Sequence, residues 1–176
     1  ALYPKPIISF LQGFTMGGGV GLGCHVSNRV VSETSKIAMP ECGIGLVPDV
    51  GGSYILAQTP PGIGEYLATT GYRMSADDAI LTGFADHFIP EESWHNLKNQ
   101  LIRTKKLSVL DSWSKKPTIG KLRENLGKIE SIFAHHNLLD ILEILRQDGT
   151  EFSTTAIKLI EKNSPLSVLS TFEIIR

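Results

Sequence analysis

Ile7-Ile8-Ser9-Phe10-Leu11, and six residues later Gly17-Gly18-Gly19-Val20-Gly21-Leu22-Gly23, decide the reading of this chain. The apolar run reads as a buried strand. The glycine run, from Gly18 to about His25, reads as a helix whose first turn carries almost no side chains. A helix start leaves backbone N–H groups without intrahelical acceptors. With the positive end of the helix dipole, they suit an anion or a developing oxyanion. Each glycine costs about 1 kcal/mol of helix stability against alanine, so something must offset five of them. Close packing of helix on strand, a phosphate site and an oxyanion hole all meet that requirement.

Downstream, Met39-Pro40-Glu41-Cys42-Gly43-Ile44-Gly45-Leu46-Val47-Pro48-Asp49-Val50-Gly51-Gly52 sets two carboxylates among apolar residues and glycines. Glu41 reads either as a solvated loop acid or as a pocket carboxylate whose pKa burial would raise. Asp49 precedes a short helix and would serve as its N-cap, a role compatible with a catalytic one. Oxyanion donors near buried acids point to acyl chemistry.

Other chemistries lack their patterns. A dinucleotide fingerprint needs G-x-G-x-x-G, and here the third glycine comes one position early. No Gly-Lys-Ser/Thr follows for a P-loop. Gly52-Ser53 does not complete a nucleophile elbow. Cys24, His25 and Cys42 lack metal-site spacing, so no metal is expected. Seventeen Lys and Arg against eighteen Asp and Glu give no net charge to attract nucleic acid or anionic lipid. No stretch approaches the roughly 20 apolar residues of a membrane span. Residues 1–10 hold two prolines and no secretory signal is read there. The two cysteines read as free thiols of a reducing compartment.

Along the chain, 26–31 reads as a second strand, 32–35 as a turn and 36–39 as an extended piece. Residues 40–53 form a glycine-punctuated loop, with a short helix after Asp49. Residues 63–70 read as a helix stopped by Gly71. Ser75-Ala76-Asp77-Asp78 is a helix-capping pattern with Gly83 as the stop. Residues 84–89 read as a strand and 94–103 as an amphipathic helix. From 105 the chain is polar, then helical over 119–133, 137–147, 151–162 and from Ser164-Pro165 onward. The expected class is α/β: an alternating core over 1–104 and a helical region over 105–176.

These residues together resemble the crotonase (enoyl-CoA hydratase/isomerase) superfamily. The resemblance rests on Lys5-Pro6-Ile7-Ile8, Gly13-Phe14-Thr15-Met16-Gly17-Gly18-Gly19, Met39-Pro40-Glu41 and Gly45-Leu46-Val47-Pro48-Asp49-Val50-Gly51-Gly52. It continues through Thr70-Gly71-Tyr72-Arg73-Met74-Ser75-Ala76-Asp77-Asp78-Ala79 and Gly83-Phe84-Ala85-Asp86. It implies part of a layered βα spiral core followed by a helical C-terminal region. Gly18, with Gly17 beside it, would offer an oxyanion N–H to a thioester carbonyl, and Glu41 would face it. True hydratases carry a second Glu where this chain has Gly21, and most have Gly where it has Asp49. Both departures look like the 3-hydroxyisobutyryl-CoA hydrolase branch. That branch implies a thioesterase of valine catabolism, with Glu41 as base or nucleophile and Asp49 orienting the substrate hydroxyl or the water; an enoyl-CoA hydratase or isomerase and a catalytically silent CoA-binding fragment are the alternative readings. Coenzyme A would be part of the substrate, with no separate cofactor. The resemblance also implies a family N-terminal part preceding Lys5, so the chain reads as a fragment. Association into a homo-oligomer is an open expectation. The location implied is the cytoplasm of a bacterium or the mitochondrial matrix of a eukaryote.

Overall fold

Parallel neighbours need crossovers, and a parallel sheet is buried on both faces. The computed structural model, which describes residues 3–176, follows that logic. Its strands are β1 (Ile8–Leu11), β2 (Phe14–Met16), β3 (Asn28–Val31), β4 (Lys36–Ala38) and β5 (His87–Phe88). They form two sheets with all strand pairs parallel: β1-β3-β5 and β2-β4. Phe10 pairs with Val30 and Leu11 with Val31.

The helices are α1 (Gly18–Gly23), α2 (Gly52–Ala57), α3 (Ile63–Thr70), α4 (Ala76–Leu81), α5 (Trp94–Thr104) and α6 (Val109–Trp113). They continue with α7 (Lys121–Glu124), α8 (Leu126–Phe133), α9 (Leu138–Asp148), α10 (Glu151–Lys162) and α11 (Pro165–Ile175). Mixed α/β architecture with a helical C-terminal region is what the sequence pattern predicts.

Side chains alternate across a strand, and Val30 and Val31 divide the core between them. Val30 packs with Ile89, Trp94, Leu97, Val109 and Leu110 under α5 and α6. Trp94 Nε1 donates to the Ile89 carbonyl at 2.8 Å, which satisfies the indole inside this cluster. Val31 packs on the other side with Leu11, Val20, Ile37 and Met39. That cluster runs on through Leu67 of α3 to Phe133, Leu145, Ile160 and Phe172 of the C-terminal helices. Phe133 and Phe172 are fully buried, and each such side chain stabilises by about 1.5–3 kcal/mol over an exposed one.

The structure departs from the sequence expectations in five places. A strand forms at Phe14–Met16, inside the glycine-flanked segment. The 84–89 strand shrinks to His87–Phe88, because the Phe84 and Ala85 N–H groups both turn back to the Ala79 carbonyl. The polar stretch after 104 contains α6, whose Val109 and Leu110 are buried. The 119–133 segment is two helices, α7 and α8, separated at Asn125 with φ −105° and ψ 8°. The fifth departure concerns Asp49 and belongs to the site.

Asp77 and Asp78 of α4 tie the helical region to the core. Asp78 completes the capping box with Ser75 and also accepts from Leu122 N. Asp77 accepts from Gly120 N at 2.9 Å and from Arg123 at 2.8 and 2.9 Å. The Arg123 hydrogen bond holds the Asp77 carboxyl below its usual range, with the Gly120 N–H adding to it. Cys24 and Cys42 are buried free thiols, and burial pushes Cys24 up to about 12, so it is inert as a thiolate.

Candidate functional site

β2 delivers Gly17 to the start of α1. Gly17 caps the helix with φ 50° and ψ −116°, a conformation suited to glycine. Its carbonyl accepts from Val20 and Gly21, so the short helix is closed from below. The Gly18 and Gly19 N–H groups have no acceptor among the described residues. Both residues are exposed, and a Cβ on Gly18 would meet nothing within 4 Å. The glycine run thus leaves two backbone donors without an acceptor among the described residues.

Glu41 opens a 3-10 turn, Glu41–Ile44, just after β4. It is 5% exposed, which overturns the solvated-loop reading. Its Oε2 is the buried side-chain oxygen without a hydrogen-bond partner among the described residues. Its Oε1 lies 2.9 Å from where a Cβ on Gly17 would stand. Buried polar groups are ordinarily paired, and an orphan carboxylate oxygen points to an absent ligand or a proton-transfer role. Desolvation raises the Glu41 pKa most. Its own backbone N–H opposes that shift, and the Asp49 charge adds a smaller upward push.

Asp49 is exposed, and its side chain accepts no hydrogen bond among the described residues. It does not cap a helix. α2 begins at Gly52, and its N-cap is Gly51 in the left-handed region. The Asp49 carbonyl instead accepts from Gly52 N at 2.7 Å. Val50 has φ 47° and Gly51 φ 79°, so Asp49–Gly52 has the pattern of a type I′ turn. With the backbone closing this turn, the carboxylate is left free.

Sequence reasoning weighed His25 only as a metal ligand and passed over Val50. His25 Nε2 lies 3.1 Å from the Val50 carbonyl. A Cβ on Gly21 would stand 2.6 Å from the Val50 Cβ. The one available signal was the Asp-Val-Gly-Gly run, which marks a tight turn. Glu41 also lines a cavity of about 590 Å³ with Pro40, Ile44, Arg73 and Lys162. Among the described residues, no group of three or more His, Cys, Asp or Glu is placed to hold a metal ion. No described helix is long and apolar enough to cross a membrane.

The family model described as enoyl-CoA hydratase/isomerase matches residues 1–176. This chain belongs to the enoyl-CoA hydratase/isomerase family. Mitochondrial 3-hydroxyisobutyryl-CoA hydrolase of Rattus norvegicus is 42% identical over 178 residues, covering 95% of this chain and 46% of the relative. The Homo sapiens protein of the same name is 38% identical, with the same coverage. The chain spans about half the length of the curated relatives it matches. A solved carnitinyl-CoA dehydratase of Mycobacterium thermoresistibile superposes with a TM-score of 0.94 at 38% identity, over 99% of this chain and 51% of that one. An enoyl-CoA hydratase of Rhodobacter sphaeroides gives 0.90 at 46% identity, over 98% and 50%. The crotonase fold expected from the sequence is the observed one.

Proposed function

We propose that the chain carries the acid and oxyanion half of an acyl-CoA thioester hydrolase acting on 3-hydroxyisobutyryl-CoA. The observation that carries this reading is the filling of the space over Gly21 by Val50. A second carboxylate rising from the middle of α1 would collide with the Asp49–Gly52 turn. Hydration of a double bond by two facing glutamates is thereby disfavoured, and Glu41, 2.9 Å from the Cβ position of Gly17, remains as the buried acid beside the glycine run. The curated relatives named as hydrolases support the same choice.

In this reading the Gly18 N–H, beside Gly17, stabilises the tetrahedral oxyanion, a contribution typically worth about 3 kcal/mol per donor. Glu41 either takes a proton from water as it attacks the thioester carbon, or attacks that carbon itself to give an anhydride that water then opens. Both routes consume one water and release 3-hydroxyisobutyrate and free coenzyme A. The departing thiolate collects the proton. Asp49 orients the water or the substrate hydroxyl. The acyl-CoA is the small-molecule partner, and these steps need no separate cofactor.

A double-bond isomerase would also run on a single base, and the solved structures above are described as a dehydratase and a hydratase. Thiol release from 3-hydroxyisobutyryl-CoA, measured beside hydration and isomerisation of enoyl-CoA substrates, separates the readings. Release that depends on Glu41 and Asp49 supports hydrolysis. Turnover of enoyl-CoA without thiol release overturns it.

A further inference from the structure

Val50 holds a backbone conformation that its side chain opposes. A β-branched residue at φ 47° is an outlier, and the first inner position of a type I′ turn ordinarily takes Asn, Asp or Gly. Such strain persists only where the surroundings over-determine it, and it gathers at functional sites. Three contacts over-determine it here. The Gly52 N–H closes the turn on the Asp49 carbonyl at 2.7 Å. Val50 is seated on the bare backbone of Gly21 in α1. His25, just past the end of α1, reaches the Val50 carbonyl at 3.1 Å. A carbonyl can only accept, so Nε2 carries the proton in that bond. The ring lies so close that a Cβ on Gly51 would stand 2.6 Å from Nε2.

We infer that His25 is a positioning residue: with Gly21, it locks the strained turn that sets the Asp49 carboxylate relative to the free N–H groups of α1. The inference rests on the proposal that Asp49 acts at the site. One short helix then carries everything that fixes the distance. Its first turn presents the Gly18 and Gly19 donors, its middle seats Val50, and the residue after its cap anchors the turn. A shift of α1 moves donors and turn together. A loss of His25 frees the turn alone.

The test uses the longest form of the protein that its gene encodes. His25→Ala is expected to lower kcat for thiol release from 3-hydroxyisobutyryl-CoA roughly 10- to 100-fold with KM unchanged, the effect of a misplaced reacting group. His25→Gln, whose amide can still donate to the carbonyl, recovers part of the loss. In an Asp49→Asn background His25→Ala has no further effect. An unchanged kcat, or an equal loss in both backgrounds, overturns the inference. If the native protein releases no thiol, the hydrolase reading fails and a second readout decides the positioning. Carbon-13 titration of Glu41 then compares Asp49→Asn in native and His25→Ala chains. A fall in the Glu41 midpoint seen only with His25 present supports the lock, and equal falls overturn it.

Discussion

The Glu41 carboxylate sits over the bare backbone of Gly17, with Oε1 2.9 Å from the place of a Cβ there. One residue further on, Gly18 faces open space. Two adjacent glycines therefore answer to different constraints. Gly17 makes room for an acid and adopts a backbone that side chains resist. Gly18 leaves room for something outside the chain.

Alanine at these two positions should have opposite effects on the fold. Gly17→Ala strains a φ of 50° and displaces Glu41, so it should destabilise by about 1–3 kcal/mol and abolish turnover. Gly18→Ala should leave the melting temperature equal or slightly higher, since alanine favours helix by about 1 kcal/mol over glycine. It should nonetheless lower kcat/KM, because its methyl takes up part of the open space that Gly18 leaves beside the donors. Thermal melts beside thiol-release kinetics check both.

Glu41→Gln should reduce thiol release by about 10²–10⁴-fold, the usual range for a lost acid–base group. The fold should survive. Burial raises the Glu41 pKa above its ordinary 4.5, so the folded state binds this proton more tightly than the unfolded one. That stabilising contribution is complete below pH 4.5 and is lost as pH rises through the raised value. The Gln variant should therefore melt higher than native at neutral pH and lose that advantage in acid. Melts across pH 4–8 decide it.

Asp49→Asn should move the acidic limb of the kcat/KM profile to lower pH. The Asp49 charge is one of the influences raising Glu41, and removing it eases ionisation of that carboxyl. Melting should hardly change, since the side chain is exposed and unbonded. A limb that stays in place would show that the two acids do not share a site.

Gly21→Glu, which puts a second carboxylate on α1, should not create a hydratase. Its Cβ would stand 2.6 Å from that of Val50, and overpacking of this kind costs about 1–3 kcal/mol. The expected outcome is a lower melting temperature, lost thiol release and no hydration of crotonyl-CoA.

Arg123→Leu should weaken the join between core and helical region. It leaves buried Asp77 with Gly120 N as its remaining partner. Asp77 is buried but Arg123 is exposed; a solvent-open ion pair contributes about 0–1 kcal/mol and a buried acceptor losing a partner about 1–3 kcal/mol, so the expected loss is about 1–2 kcal/mol. Asp77 is held below its ordinary 3.8. Its stabilising contribution is present above that value and lost as pH falls through the lowered one. The variant should accordingly lose much of the native acid sensitivity below pH 3.8. Acid melts of both chains test it.

Local signals in the sequence were legible wherever a residue type controls its own backbone. Gly71 ends α3 and Gly149 ends α9 in the left-handed region, and Ser75, Thr150 and Ser164 cap their helices. Contacts made at a distance were not. Phe14–Met16 is too short, and Phe14 too exposed, to show a strand period. The join of α7 to the core, made by Asp77 and Asp78 taking the N–H groups of Gly120 and Leu122, is one such distant contact. Asp49 looked like a cap because the strained turn at Val50 lies outside ordinary propensity. The candidate residues Gly17, Gly18 and Glu41 were readable because glycine and a Pro-flanked acid stand out in an apolar setting. Their mutual distance was not.

The 3-10 turn that carries Glu41 is braced by residues far downstream of it in the sequence. Cys42 Sγ meets Thr171 Oγ1 at 3.2 Å, and the Cys42 carbonyl accepts from Ser164 N at 3.0 Å. Asn163 reaches across to the Thr69 carbonyl at 2.8 Å. A nascent chain that has already made its glycine run and its glutamate thus lacks the residues that hold that glutamate in place. Synthesis of the segment from Asn163 to Thr171 completes the brace. Contacts of such long sequence separation form late, so the turn that carries Glu41 is set only once residues 163–171 have been made, well after the glutamate itself.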